Sequence, residues 1–213
     1  MNPLIILGIF LVGLVAVNLW WRGESRRRSL PCPTWLAGFL EGSRMDRVLG
    51  TQTTLDRIGL QPGQRVLEVG PGPGRLLIPA AQRVLPSGEV LGLDIQPGMI
   101  ERLKAQATRA GASNLATVLG DATQSHFPSD SFDVIYFCTV LGEIPDRAAA
   151  LRQCHTALRP GGLLSITEIF PDPHYQSRAT VQRLAESAGF RLQALHGPWY
   201  FFTANFVKSG NRI

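Results

Sequence analysis

The apolar residues divide the chain into three parts. From Pro3 to Trp21, "PLIILGIFLVGLVAVNLWW" carries no charged side chain. As a helix it would rise roughly 28 Å, close to the hydrocarbon thickness of a bilayer. Residues 29–64 read as a linker, "PCP", followed by amphipathic helix. In that stretch Trp35, Leu36, Phe39 and Leu40 form a stripe at helical spacing, and "SRMDRVLGTQTTLDRIGL" makes one helix or two. From residue 65 the period alternates. "QRVLEVG", "EVLGLDI", "NLATVLGD", "SFDVIYFCTVL" and "GLLSITEIF" are strands, and "GRLLIPAAQRVL", "PGMIERLKAQATRAG", "DRAAALRQCHTAL" and "SRATVQRLAESAGF" are helices between or after them. "RLQALHG" and "YFFTANFVK" close the chain with only a turn between them, so they pair antiparallel, with Tyr200 expected in the sheet core. Strands rich in Val, Ile and Leu alternating with helices predict an α/β fold, with a mostly parallel sheet covered on both faces.

Charge sharpens the first part. The chain of 213 residues has a net charge of +5. Arg22, Arg26, Arg27 and Arg28 against Glu24 contribute most of it, and residues 29–213 hold 17 basic and 15 acidic side chains. The basicity is local, so no nucleic-acid groove is indicated. Trp20 and Trp21 followed by arginines predict a single-pass anchor over residues 3–21, with residues 22–213 on the cytoplasmic side. A cleaved leader is disfavoured by the uncharged "MNP" start and the lack of a small-residue cleavage site. Cys32, Cys138 and Cys154 have no metal-ligand or redox spacing, so no metal is expected.

The chemistry concentrates in "RVLEVGPGPGRL". Gly70, Gly72 and Gly74 let a ligand approach the backbone, while Pro71 and Pro73 limit the loop's freedom. Ligands of doubly wound sheets bind at such a turn. The spacing is not the G-x-G-x-x-G of dinucleotide sites, and a glycine loop alone leaves the cofactor class open. Three acids narrow it. Glu68 lies inside an apolar strand, Asp94 ends the second strand where a carboxylate can chelate ribose hydroxyls, and Asp121 ends the third, near where an adenine amine would lie. Strand-end acids also cap helices. Together they describe a nucleoside site with no dedicated phosphate partner.

"VLEVGPGPG", "LGLDI", "LGDA", "FDVIYFCTVLGEI" and "ALRPGGLLSITE", in this order, resemble the successive motifs of class I S-adenosylmethionine-dependent methyltransferases. The likeness is greatest to the small-molecule branch that includes quinone-biosynthesis enzymes, and it covers about residues 47–208. It implies a Rossmann-like, doubly wound seven-stranded sheet with an antiparallel last strand and S-adenosylmethionine as cofactor. Residues 1–28 would then be an anchor with a basic juxtamembrane stretch, 29–64 a linker with lead-in helices, and 65–213 the methyltransferase domain. By position, Glu68, Gly70, Gly72 and Gly74 would hold the methionine part. Asp94 and Ile95 would flank the ribose, Asp121 and Ala122 the adenine, and Thr139 the inner edge.

Candidate bases or positioners fall in loops after strand ends: Glu143 in "LGEIPD", His126 in "SHFPSD", and His174 with Tyr175 in "FPDPHY". The expected activity is methyl transfer to a small amphiphile such as a quinone, a lipid headgroup or an alkyl thiol. A nicotinamide-dependent oxidoreductase and a non-catalytic cofactor-binding protein are the rival readings on the same fold.

Overall fold

The computed structural model describes residues 2–28, 50–170 and 172–208, with only part of the side chains in the first helix. Cys32, the stripe Trp35, Leu36, Phe39 and Leu40, and the rest of segment 29–49 lie outside the described residues. Helix α1 (Pro3–Arg28) coincides with the predicted apolar segment and its basic flank. Ile5, Ile6, Ile9, Phe10, Val12, Val15, Val17 and Trp20 are all exposed on it. At 100° per residue these positions cover about 220° of the circumference, a wide apolar arc. Among the described residues no helix is long and apolar enough to cross a membrane. The side chains of Leu4, Leu7, Leu11, Leu19 and Trp21 are not among them.

Helix α2 (Thr51–Ile58) follows, preceded by Gly50 and stopped by Gly59, both in left-handed backbone. Then come β1 (Arg65–Val69), α3 (Leu77–Arg83), β2 (Glu89–Asp94), α4 (Pro97–Arg109), β3 (Leu115–Leu119) and β4 (Phe132–Cys138). A 3₁₀ turn (Leu141–Glu143) leads into α5 (Arg147–Ala157), β5 (Leu158–Ile169), α6 (Arg178–Ser187), β6 (Phe190–His196) and β7 (Phe201–Lys208). The seven strands form one sheet in the order β3-β2-β1-β4-β5-β7-β6. β1 to β5 are parallel, and β7 runs antiparallel to both its neighbours, as the short turn before it requires.

Strand alternation sends side chains to two cores. Leu67, Ile135, Phe137, Ile166, Phe202 and Phe206 pack under α5 and α6. Val66, Val134, Tyr136 and Cys138 pack against Leu55, Leu77 and Leu103 from α2, α3 and α4. Burying each such large side chain stabilises by about 1.5–3 kcal/mol, so the doubly covered sheet is a rigid base for the loops at its edge.

Four expectations change. The helix predicted from Gly74 starts only at Leu77, because Gly70, Gly72 and Gly74 all adopt positive φ and none can begin it. β4 stops at Cys138 instead of reaching Leu141, since Thr139 has φ 56 and turns the chain. β5 begins at Leu158, drawing "RPGG" into the strand with a register shift between Phe132 and Val134. Tyr200 precedes β7 and is exposed; the turn places it outside the sheet core.

Gly70 shows how tight the loop is. Its φ is 70, and a Cβ there would stand 2.6 Å from Val140 Cγ1. Gly111 has a similar φ of 67 with nothing within 4 Å. Gly111→Ala should therefore cost only the backbone term, about 1–2 kcal/mol, and Gly70→Ala about 1–3 kcal/mol more. Urea unfolding of the two variants measures the difference; equal losses would show that Val140 yields freely.

Candidate active site

The strand order reverses between β1 and β4, so the loops after them part and leave a crevice at the carboxyl ends of the strands. Gly70 N–H donates to Leu93 O across the strand ends at 2.8 Å, and Val140 packs against the Gly70 Cα. Gly72, with φ 53, differs from Gly70: no atom lies within 4 Å of where its Cβ would stand. The bare backbone there faces open space.

Asp94, at the end of β2, holds this loop. Its Oδ2 accepts from Gly72 N–H at 3.2 Å and its Oδ1 from Gln96 N–H at 2.9 Å, with only 7% of the residue exposed. Burial raises its pKa, and the backbone donors oppose that rise. Each carboxylate oxygen has a second lone pair, so the side chain can fasten the loop and still accept from ligand hydroxyls. Ile95 beside it is 58% exposed, an apolar side chain at the crevice rim. On the next strand end, Asp121 Oδ1 accepts from Thr123 N–H at 2.8 Å, and Ala122 packs on the core. His126 Nε2 is bonded to Asp121 O at 2.8 Å.

Beneath the loop lies a polar network that the sequence reading missed in part. Glu68 is buried and accepts from Tyr136 Oη at 2.8 Å. Burial pushes its carboxyl up to about 8, against the pull of that hydrogen bond and of Arg75. Arg75 donates to Thr51 Oγ1 at 2.9 Å and to Cys138 Sγ at 3.4 Å, tying α2 and β4 to the loop. Tyr136 meets Glu68 through the β1–β4 register, which pairs the two residues.

A second polar corner lies at the ends of β4 and β5. Thr139 N–H donates to Thr167 O at 2.9 Å, and its Oγ1 donates to Cys138 O at 2.7 Å. A non-glycine residue in left-handed backbone costs about 1–3 kcal/mol, and these two hydrogen bonds hold Thr139 there. Arg147 donates to Leu141 O and Gly142 O, and so fixes the turn that carries Glu143. Glu168 Oε2 accepts from Gln176 N–H at 3.0 Å, while its buried Oε1 and the buried His174 Nδ1 have no protein partner. Burial raises Glu168 to about 8, with the Gln176 bond opposing. Burial also lowers His174 and keeps the imidazole neutral.

The structure thus gathers Glu143, His174 and the unforeseen Glu168 at one corner. Glu168 had the same signal as Glu68, an acid inside an apolar run. His126 is not brought there: it sits over β3, with β2 and β1 between it and β4. Tyr175 Oη donates to Trp199 O, so it braces the β6–β7 turn.

Glu68 and Glu168 set a pH dependence. Both rise from 4.5 to about 8 on folding, so the folded chain binds more protons in that interval. Stability is then highest near the lower limit and falls as pH rises through about 8. Unfolding titrations across that range should show this slope, reduced in Glu68→Gln and Glu168→Gln. A slope unchanged in both would assign it to other groups.

Comparison with known proteins agrees with this geometry. Residues 66–162 match the family described as a methyltransferase domain. Nocamycin O-methyltransferase of Saccharothrix syringae is 37% identical over 119 residues, covering 56% of this chain and 42% of that protein. Demethylmenaquinone methyltransferase of Geobacillus kaustophilus is 32% identical over 112 residues, 53% of this chain and 48% of that protein. The chain therefore spans somewhat under half the length of these relatives. Among solved structures, a SAM-dependent methyltransferase from Aquifex aeolicus superposes with TM-score 0.78 at 20% identity, covering 84% of this chain and 100% of that one. Haemonchus contortus phospholethanolamine N-methyltransferase 2, solved with S-adenosylhomocysteine, gives 0.65 at 17% identity, covering 76% of this chain and 52% of that one. These matches give no support to a nicotinamide oxidoreductase. Over residues 66–162 the chain is similar to a methyltransferase domain, and its fold is shared with S-adenosylmethionine-dependent methyltransferases.

Proposed function

We propose that the chain is a membrane-tethered methyltransferase whose acceptor is a small amphiphile: a quinone, a lipid headgroup or an alkyl thiol. The observation that carries the cofactor half is the open Gly72 backbone beside a buried Asp94 with spare lone pairs. That arrangement fits a nucleoside with vicinal hydroxyls. Gly70, Gly72, Gly74 and Glu68 would hold the methionine part, Asp94 and Ile95 the ribose, Asp121 and Ala122 the adenine, and Thr139 the inner edge. When bound, the cofactor supplies an electrophilic methyl group on a sulfonium.

The acceptor would sit over the ends of β4 and β5. There the neutral His174 imidazole offers Nδ1 to a hydroxyl or thiol proton, with Glu143 beside it. Glu168, kept protonated by burial, orients the 172–176 loop through Gln176 N–H. Positioning in a dry corner is the main contribution such residues can make. The tethering half is supported by α1, with exposed apolar side chains over a wide arc and arginines following in sequence. On this reading residues 22–213 would face the cytoplasm.

Two measurements test the reading. Asp94→Ala should weaken S-adenosylhomocysteine binding by about 1–3 kcal/mol, the scale of a lost charged hydrogen-bond partner; calorimetry giving unchanged affinity would remove Asp94 from the site. Incubating the full chain with a lipid extract and isotope-labelled S-adenosylmethionine should place the label in an apolar, extractable product. Label confined to water-soluble products would overturn the amphiphile assignment.

A further inference from the structure

The β6–β7 turn and the end of β5 carry aromatic side chains that the methyltransferase site does not use. Phe170 is 41% exposed, Trp199 59% and Tyr200 50%. They form one patch: the Phe170 ring centroid lies 5.5 Å from that of Trp199, and Trp199 lies 5.7 Å from Tyr200. The patch is braced from below. Tyr175 Oη donates to Trp199 O, Phe170 N–H donates to Tyr200 O at 2.7 Å, and Phe201 N–H donates to Pro198 O at 3.2 Å. Large apolar rings held outward by a fixed backbone lose little entropy on docking.

Two features identify what they dock against. Guanidinium groups flank the turn: Arg57 donates to Phe201 O with its Cζ 4.4 Å from that ring, and Arg178 donates to Gly197 O with its Cζ 5.6 Å from the Phe202 ring. The turn itself, "GPWYFF", has no acid. Aromatic rings among cations match the headgroup region of an anionic bilayer. The location agrees. Ile169 pairs with Phe201, so the patch lies at the carboxyl end of β5, the same end of the sheet as the 3₁₀ turn Leu141–Glu143 that α1 touches.

We propose that Phe170, Trp199 and Tyr200 form an interfacial foot that seats the carboxyl-end face of the sheet on an anionic lipid bilayer. The proposal rests on the membrane-tethered reading and adds an orientation to it: the acceptor corner at β4 and β5 opens toward the lipid surface.

Trp199 is its own reporter. In the full chain with Trp20, Trp21 and Trp35 changed to Phe, it is the only indole of the original four. Vesicles of phosphatidylglycerol and dibrominated phosphatidylcholine should quench more than about half of its emission, since indoles at the headgroup level lie near the bromines. Phe170→Ser in the same background should reduce the quenching, with S-adenosylhomocysteine binding unchanged as proof of folding. Emission that acrylamide quenches freely and bromine does not would overturn the foot, as would emission already shielded without vesicles. Sedimentation after alkaline carbonate reads the anchor separately. Pelleting without bromine quenching leaves the anchor and removes the foot. Quenching without pelleting keeps the foot and removes the spanning helix.

Discussion

The Asp94 carboxylate joins two parts of the site that are distant in the chain: Gly72 in the glycine loop after β1 and Gln96 at the entry to α4. It receives a backbone N–H from each, on separate oxygens. Gly70 is pressed against Val140 on the other side, so the loop is held between β2 and the turn after β4. Flexible glycines thereby take a single shape, and the open Gly72 backbone is left as the approach for a ligand. The shape depends on the parallel sheet beneath, because only there do β1, β2 and β4 end side by side.

The sheet also separates two buried acids. Glu68 projects toward α2, α3 and α4 and bonds to Tyr136, while Glu168 projects toward α5 and α6 and receives Gln176 N–H. Each is a costly group in an apolar layer, held mostly protonated at neutral pH. The first lies under the glycine loop and the second under the loops that follow β4 and β5. Stability is given up at the two places where the rigid sheet hands over to functional loops.

The proposed contact with a membrane would involve the same end of the sheet. The strand ends, the 3₁₀ turn, the aromatic turn between β6 and β7 and the contact with α1 all lie there. A site facing the lipid surface shortens the path of an amphiphilic acceptor and keeps the reacting groups away from bulk water. The pairing of an apolar helix with an aromatic patch would orient the domain, which a single tether does not do.

Periodicity alone determined the α/β alternation, the antiparallel final pair and the apolar first helix, because these depend on which side chains must leave water. Local chemistry marked Gly70, Gly72, Gly74, Asp94 and Asp121, since strand-end acids and alternating glycines act through residues near them in sequence. Tertiary structure decided the rest. Tyr136 reaches Glu68, and Glu143 comes near Glu168, only after strands distant in sequence come into register. Thr139 ends β4 early because its backbone must turn toward Thr167 on the neighbouring strand. Tyr200 was misread as core because its sequence looks like strand, whereas the turn closed by Pro198 carries it to the surface. Side-chain pattern records which residues avoid water, but it does not encode which of them will face one another across a sheet.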